Sequence, residues 1–249
     1  ETIVGFEALM RLDHPRRGPL SPERFIPIAE DAGLIDRLGQ WALQTACAEM
    51  ARWPEHIRCS VNVSALQFSN PELPTIVASA LAHNGIDPSR LELEITESVV
   101  MQETETNLGL IHGLRAMGIK IALDDFGTGY SSLAHLRDLP LDRIKIDRSF
   151  ISELRQPASR SRLVDAIIAL GRGLDLPLTA EGVEDEEILG ALKSMGKLKA
   201  QGYVYGKPET ADEVRDRLAR AGKLGKLQGV RSHGGGQPGN SGLPQAANS

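Results

Sequence analysis

Apolar residues along the chain gather into seven runs of strand length: Ile3 to Met10, Ile57 to Val63, Leu91 to Ile95, Ile119 to Leu123, Arg143 to Ile146, Leu178 to Ala180 and Gln201 to Tyr205. Between them the spacing changes to that of a helix. Leu38, Trp41, Ala42, Thr45 and Ala46, for instance, share one face of a 3.6-residue repeat. Ser21, Pro22 and Glu23 supply the N-cap, the first-turn proline and the early acid with which helices start. Strand and helix thus alternate, which predicts an α/β fold with a mostly parallel sheet buried on both faces, as an open doubly wound sheet or a closed barrel. Seven strands nearly suffice for a barrel of eight. From about Lys223 the periodicity stops and Gly, Ser, Asn, Gln and Pro dominate, with Gly234 to Gly236 consecutive. The expectation is a folded domain over 1–222 and a disordered polar tail over 223–249.

Composition narrows the choice of partners more than the choice of fold. At 249 residues, 41% hydrophobic and 24% charged, one domain can bury a sizeable core without disulfides or a structural metal. The net charge of −5, from 33 acidic and 28 basic residues, offers no basic field for a polymeric nucleic acid. Cys47 and Cys59 have neither zinc nor disulfide spacing and are expected in the core. No apolar run reaches the roughly 18 residues of a membrane span and no signal peptide is visible, so a cytoplasmic domain is expected. The chain opens at Glu1 without an initiator Met, consistent with a piece of a longer, membrane-anchored parent.

In a parallel barrel the chemistry sits at the carboxyl ends of the strands. Glu7 and Arg11 lie on and after the first run, Asn62 and Ser64 close the second, and Glu94 with Glu97 closes the third. Asp124 and Asp125 end the fourth, Lys145 and Asp147 the fifth, Glu181 the sixth, and Gln201 opens the seventh. Five carboxylates, Glu7, Glu94, Asp124, Asp125 and Glu181, aimed into one cavity would repel one another and rise in pKa without cations among them. Their ligand atoms are oxygens only, which selects a hard ion, Mg²⁺ or Mn²⁺, and the number of oxygen-bearing side chains suits two ions. Because neighbouring side chains of a strand point to opposite faces, the strand is expected to end at Asp124-Asp125, with the glycine-containing segment to Ser132 turning both acids inward. Gly127-x-Gly129 lacks the third glycine of a dinucleotide-binding loop. A two-ion site predicts phosphodiester hydrolysis, with Lys145 as a point charge near the nucleophile.

Six ordered motifs then resemble one family over nearly the whole chain. Glu7-Ala8-Leu9 with Arg11, Val61-Asn62-Val63-Ser64, Glu94-Ile95-Thr96-Glu97, the nine residues from Asp124 to Ser132, Lys145-Ile146-Asp147, and Ala180-Glu181-Gly182-Val183-Glu184 with Gln201-Gly202-Tyr203 are similar to EAL domains, the cyclic di-GMP phosphodiesterases. The resemblance implies a TIM-like (β/α)8 barrel lacking its N-terminal first strand, because the family normally begins upstream with a short helix and a strand. It implies that Glu7, Asn62, Glu94 and Asp124 bind one metal ion and Asp124, Asp125 and Glu181 the second, and that the product is linear pGpG. It further implies that Lys145 and Gln201 arrange the catalytic water, that Glu97 anchors the Asp-Asp loop, and that Arg11 contacts substrate phosphate, with Asp147 a second substrate-binding candidate. The loop from Asp124 to Ser132 and its following helix would line a homodimer, and sensory or GGDEF domains would accompany the domain in a longer chain. Two rival readings are a cyclic di-GMP receptor without turnover, marked in relatives by degenerate metal ligands, and a metal barrel enzyme abstracting a proton next to a carboxylate. The intact ligand set speaks against the first and the Asp-Asp pair against the second.

Overall fold

A computed structural model of the chain describes residues 2–101, 105–127, 136–137, 139–155, 162–196 and 198–231. Its framework is a seven-stranded, wholly parallel sheet: β1 Gly5–Ala8, β4 Arg58–Val63, β5 Leu91–Thr96, β6 Lys120–Phe126, β7 Arg143–Ile146, β8 Leu178–Ala180 and β9 Lys199–Ala200, in that spatial order. Sequential parallel strands are neighbours throughout, with a covering helix in most connections, as right-handed β–α–β units require. A short antiparallel hairpin of β2 Leu12–His14 and β3 Gly18–Leu20 follows β1 and was not anticipated; its register puts His14 opposite Gly18, which takes a left-handed φ of 67°. The helix expected after Ser21 runs Pro22–Asp31, with Pro22 in its first turn.

The strands carry a period of two that the apolar runs had partly hidden. One face of the sheet presents Cys59, Val61, Leu93, Ile95, Ile121, Leu123, Ile144 and Ile146, each at most 3% exposed and packed in one core with Leu43, Met50, Val77, Leu114 and Ile168 of the helices. Phe6 of the same set lies 5.4 Å from the Trp53 ring. Cys47 and Cys59 are buried in this core as free thiols, and burial pushes the Cys59 thiol up to about 12. The opposite face is polar. Glu92 and Glu94 on β5, Arg143 and Lys145 on β7, and Thr179 followed by Glu181 at β8 all alternate with that core set. The sheet is buried on both faces as expected, but by different means: the outer face meets helices, and the polar inner face meets itself across a rolled sheet. β1 and β9 are the two edges, yet Gln201, directly after β9, donates to Glu7 Oε2 of β1 at 2.5 Å.

The inner face is organised in two layers. Nearer the amino-terminal ends, Arg143 Nε donates to both oxygens of Glu92 (3.0 and 3.2 Å) and its Nη1 to Thr179 Oγ1 (3.3 Å). Two residues further along the same strands lies the layer of Glu94, Lys145 and Glu181. Outside the sheet, Asp142 takes Arg115 Nε and Nη2, Lys120 Nζ and the Ile121 amide at 3.0–3.2 Å, tying the helix Glu105–Ala116 to β6 and β7. Burial alone would raise the Asp142 carboxyl, but these hydrogen bonds outweigh it and hold it below the ordinary carboxylate value. A folded pKa below the unfolded one gives stability that is complete above about pH 4 and lost as pH falls through the folded value. Asp142→Asn should therefore lose about 1–2 kcal/mol at pH 7, with the deficit shrinking toward pH 3, in urea melts at the two pH values.

The helix Ala211–Arg231 forms a separate unit beginning at Thr210. It runs through Lys223, where the polar tail was expected to begin; residues 232–249 lie outside the described residues. No described helix is long and apolar enough to cross a membrane.

Candidate metal centre

Lys145 is the centre of the site, and β7 puts it there. The residue is 2% exposed, and its Nζ lies 2.6 Å from Glu181 Oε1, 2.7 Å from Glu94 Oε2, 3.2 Å from Asp124 Oδ1 and 3.9 Å from Glu7 Oε2. These four acids come from β1, β5, β6 and the residue after β8, so the ring exists only when the sheet is rolled. Burial pushes the ammonium toward neutrality, but Glu94, Glu7, Asp124 and Glu181 outweigh it and lift its pKa above the ordinary lysine value. The surrounding carboxylates thus favour the charged ammonium, which is placed to donate to Glu94 and Glu181.

One ammonium is too little charge for the acids around it. Glu94, 2% exposed, is raised well above its ordinary value by burial, with Lys145 opposing and Glu7 and Asp124 adding to the rise. Burial, again opposed by Lys145 and reinforced by Asp124 and Glu7, lifts Glu181 to about 7. Asp125 is raised by partial burial and by the charges of Asp124 and Asp147. Carboxylates raised by burial and by one another's charge make a site short of positive charge, and its donors are hard oxygens.

The Asp-Asp pair reaches this ring by a route the sequence reading did not foresee. β6 does not end at Asp124. It continues to Phe126 with a shift in register: Leu123 pairs with Ile144 and Phe126 with Ile146, so Asp124 and Asp125 together stand opposite Lys145. That extra residue is a β-bulge. Asp125 takes it up with a φ of 52°, a left-handed conformation that Asp tolerates better than most residues, and its amide donates to Asp124 Oδ1 at 2.9 Å. The bulge cancels the alternation that would have sent the two carboxylates to opposite faces. Asp124, Asp125 and Glu181 each offer an oxygen within 4.8 Å of the others, as a shared cation would require. Gly182, next to Glu181, has a φ of 65° and a Cβ position only 2.5 Å from Arg148 Cβ, so a side chain there would push the Glu181 turn off the helix that follows β7.

The remaining candidates fall into two groups. Asn62 and Gln201 join the ring through Glu7: Asn62 Nδ2 donates to Oε1 at 2.6 Å and Gln201 Nε2 to Oε2 at 2.5 Å, so both Glu7 oxygens are oriented. Gln201 follows β9 at Lys199–Ala200 instead of opening a strand of its own, which corrects the seventh expected run. Glu97 is buried as the first residue of the helix Glu97–Met101. Arg11 and Asp147 make their hydrogen bonds outside the ring, although the charge of Asp147 reaches Asp125. Arg11 is exposed and donates to the Met10 carbonyl at 2.8 Å. Asp147 caps the helix Arg148–Ser152, accepting from the Ser149 amide at 2.9 Å and from the Ser149 hydroxyl; against the upward pull of burial, these bonds keep its carboxyl below the ordinary value. Of the loop from Asp124 to Ser132, residues 128–132 lie outside the described residues. The lower layer of Glu92, Arg143 and Thr179 escaped the sequence reading, although polar residues at every second position of β5 and β7 signal it.

Comparison with known proteins places this geometry in context. A family model described as the EAL domain matches residues 1–208. The chain is 43% identical over 216 residues to the bifunctional diguanylate cyclase/cyclic di-GMP phosphodiesterase MucR of Pseudomonas aeruginosa, covering 85% of this chain and 32% of that protein. It is 40% identical over 216 residues to the oxygen sensor protein DosP of Escherichia coli, covering 85% and 27%. The structure of the PaMucR phosphodiesterase in complex with c-di-GMP matches with a TM-score of 0.80 at 43% identity, over 85% of this chain and 87% of that one. The EAL enzyme Bd1971 with cAMP and cyclic-di-GMP bound matches with a TM-score of 0.82 at 29% identity, over 87% and 61%. The chain spans 26% to 32% of the first curated relatives it matches.

Proposed function

Because the chain belongs to the EAL domain family, we propose that it hydrolyses cyclic di-GMP to linear pGpG at the carboxylate ring around Lys145, using two divalent cations, Mg²⁺ or Mn²⁺. The observation that carries this reading is the ring itself: four acids on one buried ammonium, with a fifth added by the bulge at Asp125. Relatives whose structures contain the same cyclic dinucleotide support the choice of substrate. Glu7, Asn62, Glu94 and Asp124 would hold one ion, and Asp124, Asp125 and Glu181 the other. When bound, such ions supply Lewis-acid polarisation of the phosphodiester and offset the charge that develops in an in-line displacement.

The chain's own residues supply the rest. Asn62 and Gln201 fix the rotamer of Glu7 from both sides, so its oxygens face the ring without reorganisation. Lys145, as an ammonium, would add a positive charge beside the reacting phosphate and donate to what attacks it. Arg11, exposed after β1, would bind a substrate phosphate from the mouth of the site, and Asp147 would act through the helix start it caps. A homodimer through the loop from Asp124 to Ser132 and the helix after it, together with sensory or GGDEF partners in a longer cytoplasmic parent, completes the proposal. MucR, whose name joins a diguanylate cyclase to the phosphodiesterase, is the relative that supports such partners.

Incubation with cyclic di-GMP and Mg²⁺ or Mn²⁺, followed by chromatography, tests the reading. The expected result is pGpG that disappears with a chelator and in Glu7→Ala. Nucleotide bound but never cleaved, with metal saturating, would make the domain a receptor.

A further inference from the structure

The amino-terminal end of the sheet, opposite the carboxylate ring, has the reverse electrostatic character. A cleft of about 400 Å³ opens there between the starts of β4, β5, β6 and β7 and the segment that leads into β8. Arg58, Arg115, Lys120 and Arg143 line it, against the acids Glu92, Asp142 and Asp175. Two of these acids are already answered: Glu92 by Arg143, and Asp142 by both Arg115 and Lys120. Arg58 has no ion pair or side-chain hydrogen bond among the described residues, and neither has Lys199. Lys199 is not part of the cleft wall itself, but it pairs in register with Thr179, the residue to which Arg143 Nη1 donates, and so stands beside that layer. Burial lowers its pKa and the charge of Arg143 lowers it further; Glu92 opposes this, and Arg58 adds a lesser lowering. Both Arg58 and Lys199 reach solvent. Cations crowded together with fewer acids than they need form the counterpart of the carboxylate ring: a site short of negative charge. Leu141, Leu176 and Pro177 give the cleft an apolar wall beside the charges, and its volume lies within the range of small-ligand sites.

We propose that this cleft is a second ligand site, for a phosphate dianion or phosphomonoester, with Arg58 and Lys199 as the cations that receive the phosphate. Arginine offers the paired donors that suit phosphate oxygens, and lysine a mobile point charge. The site is separate from the metal centre: Arg143 and Glu92 precede Lys145 and Glu94 by two residues on the same strands, so one sheet carries an anion site at one end and a cation site at the other.

The test is a nitrogen-15 NMR titration of the full chain with inorganic phosphate, in the presence of Mg²⁺ and at constant ionic strength balanced with chloride. Saturable shifts concentrated on the amides of Arg58, Ile121, Arg143 and Leu176 are expected, with affinity reduced at least tenfold in the doubly substituted Arg58→Gln, Lys199→Gln chain. An exposed control, Arg155→Gln, should leave the affinity unchanged. Shifts centred on Glu7, Asp124 and Glu181, a drift that chloride reproduces, or equal affinity in the double variant would each overturn the proposal. None of these outcomes bears on turnover of cyclic di-GMP, so the two readings fail separately.

Discussion

Replacing Lys145 with methionine should lower turnover of cyclic di-GMP by about 10²–10³-fold, the usual effect of removing one preorganised donor from a transition state. The same substitution should have a second signature that a purely catalytic lysine would lack. Lys145 is the only cation that the ring of Glu7, Glu94, Asp124 and Glu181 touches among the described residues. Without metal, Lys145→Met leaves buried carboxylates uncompensated, and a loss of about 3–5 kcal/mol in unfolding free energy is expected. Saturating Mn²⁺ should restore most of that stability, because cations then supply the missing charge, while leaving turnover low. Thermal melts with and without Mn²⁺, beside a chromatographic rate assay, check both parts. A metal-free variant as stable as the wild type would mean that the acids neutralise themselves by protonation and do not depend on the ammonium.

Arg143→Met should destabilise the domain by about 3 kcal/mol without a matching loss of metal affinity. The guanidinium is 9% exposed and fills the lower layer of the rolled sheet, bonded to Glu92, itself 12% exposed, and to Thr179. Methionine keeps most of the volume and removes the partner, so the expected effect is that of Glu92 left buried and charged. Removing both, in Arg143→Met with Glu92→Leu, should recover much of the difference, since it is the unpaired charge that is unfavourable and not the absence of the pair. Chemical denaturation of the two variants decides this. A double variant as unstable as the single one would show that the layer holds the fold by shape and packing instead.

How far the sequence revealed this molecule depended on which physical signal each feature leaves. Six of the seven parallel strands were legible because β-branched and aliphatic runs of strand length alternate with helical spacing, whereas the last lies at Lys199–Ala200, before the run expected to form it; Ser21-Pro22-Glu23 marked a helix start that the structure has in that place. The acids were legible because carboxylates at strand end after strand end have no other common explanation. The rolled sheet was only half legible. Its outer face is apolar and its inner face polar, but short strands such as Arg143–Ile146 contain too few residues for the period of two to stand out from the run. The bulge at Asp124-Asp125 was not legible at all, since a left-handed φ at an Asp leaves no trace that a glycine would. Nor was the hairpin after β1, whose strands are three residues each. Arg11 and Asp147 show what motif position leaves open: the motifs marked both residues, but not that one side chain would be exposed and the other would cap the helix Arg148–Ser152.

In the proposed site one ring of carboxylates, rolled together by the sheet and completed by the bulge, would hold two ions that share Asp124. Anomalous scattering from crystals grown with Mn²⁺ tests it most directly. Two peaks are predicted, one among Glu7, Asn62, Glu94 and Asp124, the other among Asp124, Asp125 and Glu181. A single peak at saturating Mn²⁺, or peaks that leave Asp124 out, would contradict it.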